Sequence, residues 1–169
     1  MLKKYLLISF LLLLVACGFH LRGSLTNGQN LTSKEWQVTG DADVAALVKK
    51  ELSWQYPKQI KFSESAPAKI DIKHVQFQKS MQSFNRYGRI DHAFYTLEVL
   101  VEITYQNRLW ADPILIRLRR SLPYRGNSLV QESEEKGLED DMRREVAQDI
   151  VNRLSFLPTI SAGGPYLKQ

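Results

Sequence analysis

The chain has 169 residues, a formal net charge of +5 and one cysteine. That length suits a single domain with a substantial hydrophobic core. Basic and acidic residues are interspersed, so the mild positive charge gives no reason to expect a nucleic-acid partner. One cysteine cannot form an intramolecular disulfide, so the core itself must stabilise the fold.

Residues 1–16 have the pattern of an export signal. Lys3 and Lys4 supply a positive start, and an apolar run from Tyr5 to Val15 follows, interrupted only by Ser9. These eleven residues are too few for a membrane-spanning helix, which needs about 20, but they match the apolar region of a signal peptide. We therefore predict that this leader is removed.

The leader ends in Leu14-Val15-Ala16-Cys17, which resembles the lipobox of bacterial lipoproteins. In that pattern the cysteine carries acyl chains, including palmitate, and becomes the first residue of the mature protein. Cys17 is then a membrane anchor, and the alternative is an ordinary cysteine at the end of an N-terminal membrane helix. Gly18 stands where an aspartate would favour the inner membrane, so we expect an outer-membrane location. The mature chain would have 153 residues and a charge of +3.

Three further segments follow in the mature chain. Residues 17–33 contain glycine and asparagine without strand or helix periodicity, which predicts a lipidated linker. Residues 34–158 are expected to form one folded domain, and residues 159–169 a C-terminal tail.

The domain begins with a predicted strand and helix. Trp36 to Thr39 alternate in polarity, and Gly40 ends this strand. Asp41 or Asp43 can cap the helix that follows, and Pro57 ends it. Its buried face is predicted from apolar residues at helical spacing, namely Val44, Leu47, Val48, Leu52 and Tyr56.

The middle of the chain predicts three consecutive antiparallel strands. Odd-numbered residues from Ala93 to Ile103 are apolar, whereas the even-numbered ones are mostly polar, as in a strand with one buried face. Before it, Ile70 and Val75 lie in opposite phases, which predicts a bulge near His74. After it, the strand around Ile114 to Leu122 alternates in the same way.

A second helix is predicted to close the domain. Apolar residues recur every four positions from Leu138 to Leu154, and Pro158 stops the pattern. The order strand, helix, three strands, helix predicts an α+β two-layer sandwich, with two helices on one face of a four-stranded, mostly antiparallel sheet.

The start of the mature chain, Cys17-Gly18-Phe19-His20-Leu21-Arg22, resembles that of the LptE (RlpB) family of lipopolysaccharide-assembly lipoproteins, and the element order is similar along essentially the whole chain. The resemblance implies an outer-membrane lipoprotein on the periplasmic side. It further implies that the protein pairs with the LptD β-barrel, supports its assembly, plugs its lumen and helps deliver lipopolysaccharide to the outer leaflet. A lipoprotein that binds or scaffolds another envelope component is the alternative.

The resemblance also implies basic residues that contact lipopolysaccharide. Lys136, before Asp141-Met142, matches a family lysine, and Arg86 and Arg89 are both candidates for a second basic residue in the loop between the second and third strands. Lys79 lies in the same segment, whose cations alternate with Phe84 and Tyr87. Arginine suits two-point contact with phosphate. The alternative for this segment is a solvated hairpin tip.

Two other charged groups have competing interpretations. Arg117, Arg119 and Arg120 form a second basic cluster, or else pair across strands with Glu98 or Glu102. The acidic residues Glu132, Glu134, Glu135, Asp140 and Asp141 are interpreted as an exposed helix start stabilised by the helix dipole, rather than a metal site or an acid pair.

The sequence gives little support for an enzyme. His20, His74 and His92 are dispersed, and neither a Gly-x-Ser-x-Gly nor a His-Glu-x-x-His motif occurs. Since the sole cysteine is assigned to lipid, we predict no catalytic residues, no metal and no cofactor.

Overall fold

The computed structural model describes residues 31, 33–57, 59–84, 86–88, 90–123 and 128–157. The predicted leader, Cys17, Arg89 and the C-terminal tail lie outside the described residues, as does most of the predicted linker. In chain order the elements are β1 (Glu35–Gly40), α1 (Ala42–Gln55), β2 (Lys61–Phe62), β3 (Ala68–Phe84), β4 (Ile90–Tyr105), β5 (Arg108–Leu109), β6 (Ile114–Pro123) and α2 (Ser128–Leu154).

The strands form one sheet in the order β2-β1-β3-β4, and both β5 and β6 pair with the outer edge of β4. β1 runs parallel to β2 and β3, while the pairs involving β4 are antiparallel. The predicted α+β sandwich is confirmed, but four strands was too few: two-residue strands are too short to leave a periodic pattern. β1 is parallel because α1 returns the chain to the end of the sheet where β1 begins.

Both helices cover the same face of the sheet. The odd-numbered side chains of β4 point towards this face. From Ala93 to Ile103 these side chains are buried, which confirms the predicted alternation. The register of β3 against β4 shifts between Ile72 and His74, where Lys73 is the extra residue, so the predicted bulge is also confirmed. The bulge lets both Ile72 and Val75 point towards the helices.

The two helices run parallel to each other. Asp41 caps α1 by accepting a hydrogen bond from the Val44 backbone N–H at 3.0 Å, as predicted. Near this end Arg143 of α2 lies 3.6 Å from Asp41 and 3.5 Å from Asp43. At the other end Gln55 donates to Asn152 at 3.4 Å. The C-termini of both helices therefore lie at the same end of the domain.

α2 begins at Ser128, four residues before the acidic run from Glu132 that was interpreted as its start and ten before the apolar stripe begins at Leu138. Its first turns expose Leu129 and Val130 and bury the polar Gln131, whose side chain donates to the Tyr95 hydroxyl at 3.4 Å. These first turns have no apolar stripe and contact the sheet through polar side chains. Apolar spacing alone therefore does not predict them.

The sheet has two distinct ends. The N-terminal end is formed by Trp36, Ala68 and Tyr105, which lie side by side. The chain reaches it through the buried residues Leu31 and Ser33, and the Trp36 indole donates to the Ser33 carbonyl at 2.9 Å. The hairpin end lies where β3 ends and β4 begins, and its described turn residues are 86–88.

Aromatic packing closes the N-terminal end. Trp36 stacks on Trp110 with ring centroids 5.8 Å apart, and Tyr105 meets the edge of Trp110 at 5.4 Å. In the described part of the chain, neither helix is both long enough and apolar enough to cross a bilayer.

Candidate functional site

The hairpin end displays exposed cationic and aromatic groups. Arg86 lies over the ring of Tyr87, with its guanidinium carbon 4.8 Å from the ring centroid, and both side chains are exposed. Gly88 follows with φ of +71°, a left-handed conformation that a glycine adopts without strain and that closes the turn. Stacking leaves the outer edge of a guanidinium available for hydrogen bonds to an anion.

Lys79, nearer the body of the domain, belongs to a polar network beneath α2. Its ammonium forms an ion pair with Glu135 and lies 5.7 Å from the centroid of the Tyr95 ring. The Tyr95 hydroxyl hydrogen-bonds Glu135 and accepts from Gln131. The network connects α2 to both long strands.

The protonation of this network follows from its contacts. The hydrogen bond to Glu135 raises the pKa of Lys79. Burial opposes ionisation of Glu135, but hydrogen bonds from Lys79 and Tyr95 outweigh it and lower the pKa of that carboxyl. Burial, followed by the bond to Glu135, raises the pKa of Tyr95. Lys79 and Glu135 are therefore both charged at neutral pH.

The predicted contact residues occupy different parts of the described structure. Lys136 is exposed on α2 and directly follows Glu135, but consecutive residues of a helix point in different directions, so the Lys79–Glu135 pair does not bring Lys136 to Lys79. Arg86 is seven residues beyond Lys79 along the hairpin, which is at most about 23 Å at the rise of a strand. Among the described candidates, Lys79 is therefore paired with α2, Lys136 is exposed on α2, and Arg86 lies at the hairpin tip.

The second basic cluster does not exist as a single surface. Arg117 pairs with Glu98 on the neighbouring strand at 2.7 Å, as the cross-strand alternative predicts. Arg119 points to the same face, where its guanidinium carbon lies 4.4 Å from the centroid of the Phe94 ring. Arg120 points to the opposite face and binds both carboxylate oxygens of Glu145, at 2.8 and 2.6 Å.

The face of the sheet turned away from the helices is charged but internally paired. Lys73 lies 2.7 Å from Asp71 and 3.4 Å from Glu102. The hydrogen bond from Lys73 outweighs the effect of burial and lowers the pKa of Asp71, to which Thr39 also donates at 2.9 Å. This open face is therefore polar and nearly neutral.

The acidic residues of α2 form separate ion pairs and not one cluster. Besides the bond of Glu135 to Lys79, Asp141 pairs with Arg144 and Glu139 with Arg143 at 2.7 Å. No group of three or more histidine, cysteine or acidic side chains arranged to hold a metal occurs among residues that the structure describes.

Three members of the polar network, Tyr95, Gln131 and Glu135, were absent from the predicted site. Tyr95 occupies a position of the apolar stripe, and Glu135 lies within an acidic run. One sequence signal was available: a tyrosine on the buried face of a strand needs a hydrogen-bond partner for its hydroxyl.

Comparison with known proteins identifies the family. Residues 20–154 match the model of the family described as LptE, Lipopolysaccharide-assembly. No curated relative matches the sequence.

Three solved structures share the fold. The rare lipoprotein B from Shewanella oneidensis is similar with a TM-score of 0.63 and 16% identity, over 72% of this chain and 94% of that one. Lipoprotein B from Nitrosomonas europaea has a TM-score of 0.61 and 25% identity, over 82% and 90%. A minor lipoprotein from Acinetobacter baumannii has a TM-score of 0.62 and 17% identity, over 76% and 97%. Since the family model matches residues 20–154, well over half of the chain, the chain belongs to the LptE family of lipopolysaccharide-assembly lipoproteins of the outer membrane.

Proposed function

We propose that this protein is anchored to the outer membrane through lipid on Cys17 and pairs with the LptD β-barrel. There it supports barrel assembly, occupies the lumen and helps pass lipopolysaccharide to the outer leaflet. It acts as a binding protein and not as an enzyme. The observation that carries the proposal is the family match, which extends from residue 20 to residue 154.

The open face of the sheet supports the lumenal role. Barrel lumens are lined with polar groups, so a plug has to present a hydrated surface. The ion pairs of Lys73 with Asp71 and Glu102 provide such a surface without a large net charge. The buried core on the helical face keeps the body rigid.

The hairpin end supports contact with lipopolysaccharide. Arg86, Arg89 and Lys136 are the first candidates for phosphate contacts, because cations form strong charge-assisted hydrogen bonds with phosphate. Lys79 is a weaker candidate, since its ammonium already forms an ion pair with the Glu135 carboxylate. The exposed ring of Tyr87 offers an apolar surface beside the charge of Arg86.

Affinity purification of the lipidated protein from outer membranes tests the partnership. A stable large β-barrel in the eluate is expected. A different envelope component without a barrel would support the scaffold alternative and contradict the proposal. In parallel, Cys17→Ala is expected to leave an unprocessed precursor without palmitate label, and a mutant that is still processed and labelled would refute the assigned anchor.

Charge reversal tests the lipopolysaccharide contacts. A triple variant with Arg86→Glu, Arg89→Glu and Lys136→Glu should bind lipopolysaccharide more weakly, while its folding and barrel co-purification stay intact. The matched control reverses three exposed lysines elsewhere, Lys34, Lys49 and Lys50, so that the net charge changes equally.

The salt dependence of binding separates local contacts from net charge. Wild-type affinity should fall as ionic strength rises, and the triple variant should respond less. Equal binding by the triple variant and the lysine control at low salt would remove these residues from the site. Barrel plugging would then remain as the proposed role.

A further inference from the structure

The sheet ends on one side in a long strand whose outer edge is unpaired. β6 pairs with β4 along its whole length, and among the strands that the structure describes none pairs with its other side. At the opposite edge of the sheet, β2 has only two residues, whereas β6 has ten. An unpaired edge strand presents backbone donors and acceptors that another extended chain can bind.

The hydrogen bonds around β4 show which residues of β6 point outward. The Trp110 N–H donates to the Ile103 carbonyl at 2.8 Å, so the backbone groups of Ile103 face the side of β4 that carries β5 and β6. Because these directions alternate along a strand, Val101 faces the same side and hydrogen-bonds with its partner Ile114. The outward backbone groups of β6 therefore belong to its odd-numbered residues, Leu115, Arg117, Arg119 and Ser121.

Two further observations agree with this phase. Pro123 is odd-numbered, so its missing N–H takes no hydrogen bond from the ladder with β4. The Arg119 carbonyl accepts a hydrogen bond from Nη1 of Arg120 at 3.2 Å, as expected for a carbonyl that faces away from β4. The outward groups from Leu115 to Ser121 extend over about 20 Å at the rise of a strand.

The apolar side chains of β6 leave a step at this edge. Ile114, Leu118 and Leu122 point towards the helices and pack against the core, but each is only half-buried. Ile116, between them, is almost fully buried. Apolar side chains on an added strand would cover the half-buried residues and remove their surface from water.

The charge on the other face of β6 is not balanced. Arg117 pairs with Glu98, whereas Arg119 is exposed and pairs with no carboxylate among the described residues. Its guanidinium lies over the ring of Phe94 instead. Since opposite charges on neighbouring strands attract, an acidic side chain beside Arg119 would complete this face.

We propose that the edge of β6 binds an extended segment of the barrel partner as an additional strand, with apolar residues towards α2 and an acidic residue beside Arg119. Strands in the wall of a closed barrel already pair on both sides, so the segment lies outside the wall. A second copy of this chain fits less well, because every antiparallel register centred between Arg117 and Arg119 sets arginine opposite arginine. This inference rests on the proposed pairing with a β-barrel.

Hydrogen exchange resolved to single residues tests the added strand. The lipidated full chain in detergent micelles is compared with the complex that co-purifies with the barrel. The outward amides of Arg117, Arg119 and Ser121 should exchange about tenfold or more slowly in the complex. The amides of Leu118 and Arg120, which are already bonded to β4, should change little.

A proline at position 119 separates backbone pairing from simple shielding. Arg119→Pro removes an outward N–H and leaves the ladder with β4 intact, whereas the matched control Arg119→Ala removes the same charge and keeps the N–H. In the complex, Arg119→Pro should return the amides of Arg117 and Ser121 to the rates of the free chain, and Arg119→Ala should not. Slow exchange in both variants would refute the added strand. Circular dichroism of the free chains verifies that both fold.

Photo-crosslinking provides a measurement that needs no proline. Benzoylphenylalanine replaces Leu115, Arg117 or Arg119 in turn, and the crosslinked residue is mapped by mass spectrometry. An added strand predicts one segment of the barrel protein, with the crosslinked position moving by two residues for each step of two along β6 and an Asp or Glu beside Arg119. Crosslinks scattered over several segments, or to a second copy of this chain, would overturn the proposal.

Co-purification keeps this inference separate from the proposed function. A barrel that co-purifies while the outward amides still exchange rapidly leaves the partnership intact and refutes the added strand. A chain that purifies without a barrel refutes the partnership and, with it, the proposed occupant of this edge.

Discussion

The N-terminal end and the hairpin end of the sheet are built from different interactions. At the N-terminal end Trp36, Tyr105 and Trp110 pack against one another, and the chain is bound to the body through Ser33. Between the body and the hairpin tip, α2 is attached to the sheet by the polar network around Lys79 and Glu135. Burial of aromatic surface stabilises far more than a partly exposed ion pair does. The domain therefore separates its stability from its exposed cations.

The largest effect is expected from breaking the aromatic packing at the N-terminal end. Trp36→Ala should lower the free energy of unfolding by about 3 to 5 kcal/mol, because it leaves a cavity beside Trp110. Trp54→Ala, at the same end but exposed, should change it by less than about 0.5 kcal/mol. Urea unfolding followed by circular dichroism measures both, and equal midpoints would contradict the distinction between the buried and exposed rings.

A single helix allows the two ends to be compared with the same substitution. Leu154 is buried where α2 ends, whereas Leu129 is exposed where it begins. Leu154→Ala should cost about 2 to 5 kcal/mol and Leu129→Ala less than about 0.5 kcal/mol. Thermal and urea unfolding of the two variants provide the test. A large loss at Leu129 would show that the hairpin end contributes to the core.

The smallest effect is expected from the ion pair at the hairpin end. The pKa of Glu135 is lower in the folded protein than in the unfolded chain. The ionised carboxylate therefore adds to the free energy of unfolding at pH values above its unfolded pKa, and this contribution is lost as the pH falls through its folded pKa. Glu135→Gln should therefore be less stable than wild type at pH 7, by about 0 to 1 kcal/mol, and the difference should be smaller at pH 3.

Lys79 stays protonated between pH 3 and pH 7, since its pKa is raised. It therefore does not change how the free energy of unfolding depends on pH in this range. Urea unfolding at both pH values measures the difference. Glu132→Gln, exposed on the same helix, is the control and should show no such convergence. A gap between wild type and Glu135→Gln that persists at pH 3 would assign the stabilisation to hydrogen bonding rather than charge.

The candidate site was only partly predictable. The sequence and the family resemblance were enough to name Arg86, Lys79 and Lys136. They did not show which of these side chains already has a partner in the folded protein. Lys79 and Glu135 are 56 residues apart, so only the packing of α2 on the sheet decides that this lysine is already paired. The three arginines of β6 were grouped by proximity in sequence, whereas the alternation of a strand sends Arg120 to the opposite face from Arg117 and Arg119.

The sequence by itself determined the elements whose periodicity is strong. The alternation of β4, the bulge near His74 and the Asp41 cap each depend on neighbours within a few residues, and each is confirmed. Tertiary structure alone decided the parallel pairing of β1, the two-residue strands β2 and β5, and the pairing of Lys79 with Glu135. The physical reason is range: local spacing selects a helix or a strand, whereas pairing direction and shared surfaces depend on contacts between residues far apart in the chain.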